Sequence, residues 1–344
     1  MESKYYDATP RTSQIIMGLA FVSMLLLPHF LAADAQDKKV YQTKRIEKNT
    51  PKIDGYLRDA AWQQVKWSNH FTQRSPRDGT EPSQKTAFKI LYDDNNLYVA
   101  IRAYDEEPEK IVERLSRRDG FEGDWVEVNI DSYFDKRTAY SFTASVCGGQ
   151  TDGAITEDGN NWDATWDPVW YLDTSVDDEG WVAEMQIPFT QLRFNNGKNQ
   201  HVWGLQITRR IFRNEERDIW QYVSQEESGW VRHFGELRGI EGIHPKKQVE
   251  VSPYLLSKVE NYKADDQNPF ADGTDWDYNM GLDGKLGVTN DLTLSFSVNP
   301  DFGQVEADPS EVNLTAFETF FQEKRPFFIE DRNITSFQIS QGGN

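Results

Sequence analysis

FKILYDDNNLYVAI, residues 88–101, predicts two β-strands joined by a tight turn. The apolar side chains recur at every second position on both sides of the turn: Phe88, Ile90 and Tyr92, then Leu97, Val99 and Ile101. A period of two places these side chains on one face of a sheet. The four residues Asp93–Asn96 favour a turn, because Asp and Asn side chains hydrogen-bond nearby backbone. The stretch is therefore expected to form a β-hairpin with one buried face.

The same alternation returns along residues 46–240. It recurs in four further segments: Val126–Ile130, Tyr140–Val146, Trp181–Ile187 and Trp203–Ile207. Pro188 follows the third segment and ends that strand, since proline cannot donate to a sheet ladder. Short strands, polar turns and no long helical period predict an all-β fold, with an antiparallel β-sandwich over 46–240. Trp62 and Trp181 stand in apolar positions of this pattern, so we expect both rings in the core.

The chain is acidic and has few cysteines. Its 344 residues include 37 Lys and Arg against 56 Asp and Glu, which gives a net charge of −19. Phosphate binding needs a basic face, so we expect no nucleic acid partner. Cys147 is the single cysteine, so no disulfide can form within the chain.

The first residues predict a secretory signal. Lys4 and Arg11 precede an apolar run at Ile15–Leu31, and the small residues Ala33 and Ala35 follow it. A positive start, an apolar middle and an A-x-A site are typical of a signal peptide, here over 1–35. The alternative is an N-terminal membrane anchor, although Pro28 interrupts the run. We therefore expect an exported protein.

The character of the sequence changes after residue 240. Residues 241–248 contain glycine, proline and lysine and predict a linker. A second unit over 249–344 begins with alternating apolar residues and predicts three strands, at Val249–Tyr254, Tyr278–Leu286 and Leu292–Val298. Ser310 could cap a helix with Leu314, Phe317 and Phe321 on one face, and the segment from Arg325 predicts another strand.

Three separated motifs of the first unit resemble the family 9 carbohydrate-binding modules. They are IDGYLRDAAW at Ile53–Trp62, GDWVEVNID at Gly123–Asp131 and DDEGWVAEMQIPF at Asp177–Phe189. The resemblance covers most of 46–240 and implies a β-sandwich that binds an oligo- or polysaccharide without catalysis. It also implies a pair of tryptophans around a terminal sugar, and a possible structural calcium ion whose ligands stay unassigned.

The second unit resembles the exported protein family of unknown function number 5916. The resemblance rests on NPDFGQVEADPSEVNLTAFETFFQEKRPFFIE at residues 299–330. It implies a β-barrel-like domain in the outer membrane. The smallest membrane barrels need about eight strands, so we expect this chain to contain only the truncated first strands of that domain. Together with the signal peptide, it implies the periplasm or outer membrane of a Gram-negative bacterium.

Aromatic rings are the first candidates for sugar contacts, because a flat apolar face stacks on the C–H face of a pyranose. Trp162, Trp166 and Trp170 lie within nine residues, among Asn and Asp side chains. Trp170 could equally be a core residue of a strand. Trp220 and Trp230 are further candidates near the end of the module.

Charged residues give weaker signals. Arg209 could hydrogen-bond sugar hydroxyls, as could Arg210 and Arg217, although a solvated salt-bridged strand pair explains them as well. Four aspartates near turns could serve the possible calcium ion, since hard cations prefer several oxygen ligands: Asp93, Asp94, Asp105 and Asp131.

These observations predict non-catalytic carbohydrate binding by an exported cell-envelope protein associated with polysaccharide catabolism. The sequence contains no H-E-x-x-H, G-x-S-x-G or P-loop motif. One alternative is an outer-membrane transport or assembly protein whose sandwich is a plug or interaction domain. A second alternative is a glycoside hydrolase, although a pair of carboxylates arises easily by chance among 56 acidic residues.

Overall fold

The structure is a computed structural model that describes most of residues 38–300. The described range excludes 116–117, 119, 121, 196–198, 245–246, 262–272 and 290–291. The expected signal peptide at 1–35, the helix expected from Ser310 and the strand expected from Arg325 lie outside the described residues.

The regular secondary structure of the described residues is almost entirely β-strand, with only short 3₁₀ helices besides, which confirms the all-β prediction. The strands are β1 Val40–Gln42, β2 Lys44–Arg45, β3 Thr72–Ser75, β4 Thr86–Tyr92, β5 Asn96–Tyr104, β6 Trp125–Asp131, β7 Ala139–Ser145, β8 Gln150–Thr156, β9 Asn161–Asp163, β10 Tyr171–Asp177, β11 Gly180–Pro188, β12 Gln200–Ile211, β13 Glu216–Ile219, β14 Gly235–Glu241, β15 Val249–Asn261, β16 Thr274–Gly287 and β17 Thr293–Val298. Short 3₁₀ helices lie at Ala60–Gln64, Pro108–Lys110, Glu157–Gly159, Phe189–Gln191, Phe212–Asn214 and Val231–His233.

Two sheets form the sandwich. The nine-stranded sheet has the order β1-β14-β12-β6-β7-β8-β9, and β13 pairs with β12 and β3 at its side. The five-stranded sheet has the order β10-β11-β5-β4-β2. The hairpin predicted from the sequence is β4–β5, and the pairing is antiparallel except that β1 joins β14 and β2 joins β4 in parallel. The short segment that contains β1 and β2 therefore pairs with both sheets, through β1 with the nine-stranded sheet and through β2 with the five-stranded sheet.

The core lies between the sheets, where the alternating apolar residues meet. Phe88 and Val99 from the five-stranded sheet and Val128 and Ile207 from the nine-stranded sheet are fully buried in one cluster. Burying each side chain of this size stabilises the fold by about 1.5–3 kcal/mol. Trp181 belongs to the same cluster.

A second, smaller cluster explains the opening motif Ile53–Trp62. The Trp62 ring is buried there, and its Nε1 donates to Glu184 Oε1 at 2.9 Å. The backbone N–H groups of Asp54 and Gly55 donate to Glu184 Oε2. Burial raises the pKa of the Glu184 carboxyl to about 7 despite these donors. The core positions predicted for Trp62 and Trp181 are confirmed.

The third sheet is a meander of β15, β16 and β17 that begins at Val249. The register places apolar and exposed side chains on one face: Val249, Val251, Leu255, Val259, Trp276, Tyr278, Met280, Leu286, Leu294 and Val298. Mostly polar side chains share the other face, among them Glu250, Asp277, Asp283 and Lys285. Within the described part of the chain, no helix is long and apolar enough to cross a membrane.

Candidate functional site

A groove of about 860 Å³ lies on the outer face of the nine-stranded sheet. The strand register sets its floor, since Trp125 and Glu127 on β6 stand opposite Arg210 and Thr208 on β12. Arg217 on β13 stands opposite Arg210 on its other side. Their neighbours in sequence point into the core, so this face gathers the polar half of each alternating strand.

Two tryptophans flank this floor. Trp162 on β9 pairs with Ile155, and its ring packs against Gly153, where a Cβ would come within 2.4 Å of Cε2. Trp230 packs against Gly159, where a Cβ added to the glycine would come within 2.5 Å of the Cβ of Trp230. Both glycines therefore give room for a ring at close range. Trp162 is 37% exposed, so part of its surface is open to a ligand.

Asp158 ties the segments that hold these two rings. Its backbone O accepts a hydrogen bond from Trp230 N at 2.8 Å, and its carboxylate accepts from Arg232 N at 2.9 Å. The Arg232 guanidinium also pairs with the carboxylate. Burial works against the charge, but the bonds from Arg232 prevail and the pKa of Asp158 lies below its ordinary value. The loop positions are thus fixed by an ionised carboxylate.

Three arginines line the groove and lie against aromatic rings. The Arg74 guanidinium lies 4.9 Å from the centre of the Trp230 ring, and that of Arg217 lies 5.4 Å from Trp125. Arg210 lies over Phe212 at 5.9 Å. Stacking of this kind orients a guanidinium. Arg74 Nε donates to the backbone O of Val223 and Arg210 Nη1 to that of Glu215, so the other N–H groups of these two side chains remain for a ligand.

Glu127 supplies the acceptor at the floor. Its Oε1 accepts from Ser141 Oγ and its Oε2 from Asn129 Nδ2, each at 2.8 Å. Thr208 Oγ1 beside it has no hydrogen-bond partner among the described residues. Flat rings at the wall with guanidinium, carboxylate and hydroxyl groups at the floor suit a ligand that has an apolar face and a polar edge.

The structure places the five sequence-predicted site residues in different environments. Trp162 lines the groove. Trp166 is half-buried, with its ring 4.7 Å from that of Tyr140 on the core side of β7. Trp170, Trp220 and Arg209 are 4%, 2% and 0% exposed. Such burial leaves no ring face or N–H edge for a sugar, so these three are corrected to core positions.

The buried three have internal partners that explain their position. Trp170 Nε1 donates to Asp152 Oδ2 at 2.9 Å, and Trp220 Nε1 donates to Ser68 Oγ at 2.9 Å. Arg209 Nη1 donates to the backbone O of Lys85 at 2.9 Å.

Sequence reasoning missed Trp125, Glu127 and Arg74, and of two adjacent arginines it selected Arg209 rather than Arg210. Arg209 and Arg210 are neighbours in β12, so they point to opposite faces, and only Arg210 reaches the groove. The alternation Trp125, Glu127, Asn129 on the polar side of β6 was the signal that could have found two of the missed residues.

The possible calcium ion stays a prediction. No group of three or more His, Cys, Asp or Glu side chains comes together for a metal ion within the described residues. The four aspartates considered have protein donors: Asp93 accepts from Asn96 N, Asp94 pairs with Arg45, Asp105 pairs with Arg213, and Asp131 accepts from Lys136 N. The described residues therefore offer no assigned calcium ligands.

Two parts of the chain match known protein families. Residues 53–228, more than half of the chain, match the family described as carbohydrate family 9 binding domain-like. The chain therefore belongs to this family. Residues 245–337 match a domain of unknown function, number 5916. No curated protein matches the chain significantly.

Solved structures with a similar sandwich include two of a family 9 carbohydrate-binding module from Caldicellulosiruptor kristjanssonii. One is in complex with glucose and covers 58% of this chain and 95% of that chain, at 19% identity and a TM-score of 0.42. The complex with cellotriose covers 60% and 95%, with the same identity and score. A putative carbohydrate-binding protein from Bacteroides uniformis covers 58% and 99%, at 12% identity and a TM-score of 0.48.

Proposed function

We propose that the sandwich binds carbohydrate without catalysis, in the groove between Trp162 and Trp230. The observation that supports this most is the Trp162 ring, which packs against Gly153 and stays 37% exposed. A ring held in this way can stack on the C–H face of a pyranose, while Glu127 and the arginines bind hydroxyls. Membership of the carbohydrate family 9 binding domain-like family supports the same proposal.

Calorimetric titration of the full chain with neutral mono- and oligosaccharides, with and without calcium, tests the proposal. Trp162→Ala should lower the affinity at least tenfold, since stacked aromatic pairs contribute about 0.5–1.5 kcal/mol beyond their buried area. Trp67→Ala is the matched control, because Trp67 is equally exposed at 39% and lies outside the groove.

Two results would reject this function. One is the absence of binding to every saccharide tested, and the other is unchanged affinity in Trp162→Ala. Release of reducing sugar from a polysaccharide, abolished by a single Asp or Glu substitution, would instead establish the glycoside hydrolase alternative.

We further propose that the protein is exported to the outer membrane of a Gram-negative bacterium, where it holds glycan during polysaccharide catabolism. The third sheet supports a membrane location, because β15 and β16 have 13 and 14 residues. A membrane-spanning strand needs about 9–11 residues, with apolar side chains on the lipid side. Trp276 and Tyr278, stacked at 6.3 Å, lie near one end of the apolar face, as aromatic residues at a membrane interface do.

Fluorescence quenching in vesicles tests the membrane contact of this face. Vesicles with brominated acyl chains should quench the full chain, and Trp276→Phe should remove part of that quenching while Trp67→Phe should not. No quenching, or equal quenching in the Trp276→Phe variant, would mean that protein rather than lipid covers this face.

A further inference from the structure

Three neighbouring strands bring like charges together at one end of the groove. Arg217 on β13 stands directly opposite Arg210 on β12. Arg217 is also registered with Ser75 on β3, next in sequence to Arg74. Like charges directly opposite in a sheet are destabilising. The Arg210–Arg217 pair therefore lowers the stability of the folded sheet.

Within the described part of the chain, this cluster forms no ion pair with a carboxylate. Among the described ion pairs, none involves Arg74, Arg210 or Arg217. Asp158 is paired with Arg232, and Glu227 lies 3.2 Å from Nδ1 of His233, a ring that is charged only when it is protonated.

Two acidic groups remain near the cluster, and both are held by other donors. The Glu127 carboxylate accepts one hydrogen bond from Ser141 and one from Asn129, and it forms no described ion pair with the cluster. Asp78 accepts from Ser224 Oγ and Gln225 N, although its charge still acts on Arg74. In a chain of net charge −19, three half-buried cations without a paired acid need an explanation.

The electrostatics of Arg74 agree with this arrangement. Burial and the nearby charge of Arg217 hold the pKa of Arg74 below its usual value, and Asp78 offsets this in part. An anion bound between the two guanidinium groups would offset the repulsion between them. The repulsion is therefore tolerable if a negatively charged ligand completes the cluster.

The rings beside the cluster indicate what bears that negative charge. Each guanidinium lies against a ring, at Trp230, Trp125 and Phe212, so its position is fixed before a ligand arrives. An oriented guanidinium fork binds carboxylate or sulfate oxygens in pairs. Trp162 in the same groove offers a surface for the sugar ring that would bear the anionic group.

We propose that the groove selects an acidic saccharide, one whose pyranose bears a carboxylate or a sulfate ester. Trp162 stacks on the sugar ring, and Arg74, Arg210 and Arg217 bind the anionic group. This inference rests on the proposed function, because it names the class of carbohydrate for the same groove.

Matched ligand pairs test the selection by calorimetry on the full chain. The carboxylate arm compares trigalacturonate with its methyl ester, and oligomers of glucuronate with cellotriose. The sulfate arm compares sulfated galactan oligosaccharides with their desulfated forms. In at least one arm we expect the acidic member to bind at least about tenfold tighter, because hydrogen bonds to a charged group are stronger than those to a neutral group. Which arm shows it identifies the anionic group.

Substitutions locate the selection in the cluster. Arg217→Gln and Arg210→Gln should bring the ratio of acidic to neutral affinity towards one, and Trp162→Ala should weaken both ligands. Arg238→Gln is the control, because Arg238 is exposed, pairs with Glu236 and lies outside the groove. Circular dichroism of each variant confirms that it is folded.

The possible results separate the two proposals. Trp162-dependent binding in which every neutral ligand binds as tightly as its acidic partner would overturn the selection and leave carbohydrate binding intact. Failure of all saccharides, acidic and neutral, would overturn both. Acidic binding that survives Trp162→Ala and disappears in 0.5 M NaCl would indicate unspecific charge attraction and would also overturn the selection.

Discussion

The two faces of the nine-stranded sheet contain similar charged side chains but neutralise them differently. On the inner face, Arg209 is fully buried and lies 3.8 Å from Asp105, which also pairs with Arg213. On the groove face, Arg210 and Arg217 stand opposite each other without a paired acid among the described residues. Burial makes an unpaired charge costly, so the inner face must balance its charges. The groove is open to solvent and can leave cations for a ligand.

The largest difference in stability is expected between the same substitution made at an arginine of the inner face and at an arginine of the groove face. Arg209→Met should lower the free energy of unfolding by about 3–5 kcal/mol, because it leaves buried acids without their counter-charge. Arg210→Met should change it by no more than about 0.5 kcal/mol, since it removes a like-charge pair at a half-exposed site. Urea unfolding followed by fluorescence measures both. Equal losses in the two variants would mean that the faces do not differ in this way.

A smaller effect should appear in the pH dependence of neighbouring residues of β13. Asp218 points inward while Arg217 points to the groove. Burial, together with the charge of Glu216, raises the pKa of Asp218 to about 8. The stability that this group contributes is therefore complete below about pH 4 and is lost as the pH rises to about 8.

Asp218→Asn removes this loss. The variant should match the wild type near pH 4 and exceed its free energy of unfolding by about 2 kcal/mol or more at pH 8, since one pKa unit corresponds to about 1.4 kcal/mol. Urea unfolding at a series of pH values measures the difference, with the exposed Asp178→Asn as control. A difference that does not grow with pH would show that Asp218 ionises normally in the folded state.

The smallest effect, on sugar affinity, is expected from a single methyl group added at Gly153 beneath the Trp162 ring. Gly153→Ala places a Cβ 2.4 Å from the Trp162 ring, so the ring must move. Sugar affinity should fall about tenfold, with a stability loss of about 1–3 kcal/mol from overpacking. In a Trp162→Ala background the same methyl group meets no ring, so affinity should fall no further. Additive losses in the double variant would mean that Gly153 acts independently of the ring.

Strand alternation explains why much of the sandwich could be predicted. The β4–β5 hairpin, the strands at β6, β7, β11 and β12, and the buried Trp62 and Trp181 all follow from local patterns. Trp162 was selected because it stands among polar and turn-forming residues, and the structure places it at the groove, where sugar binding stays a proposal. Trp170 and Trp220 failed as site residues because a tryptophan fits a core and a sugar surface equally well until its neighbours are known.

The sequence alone determined that this is an all-β chain, where its strands lie and to which family its first unit belongs, because a period of two and short motifs are local properties. Tertiary structure decided which rings and arginines meet. Trp230 reaches the groove through its bond to Asp158, 72 residues away, and Arg217 faces Arg210 only through strand register. A side chain's face follows from parity, but its partners depend on long-range pairing, which no local pattern contains.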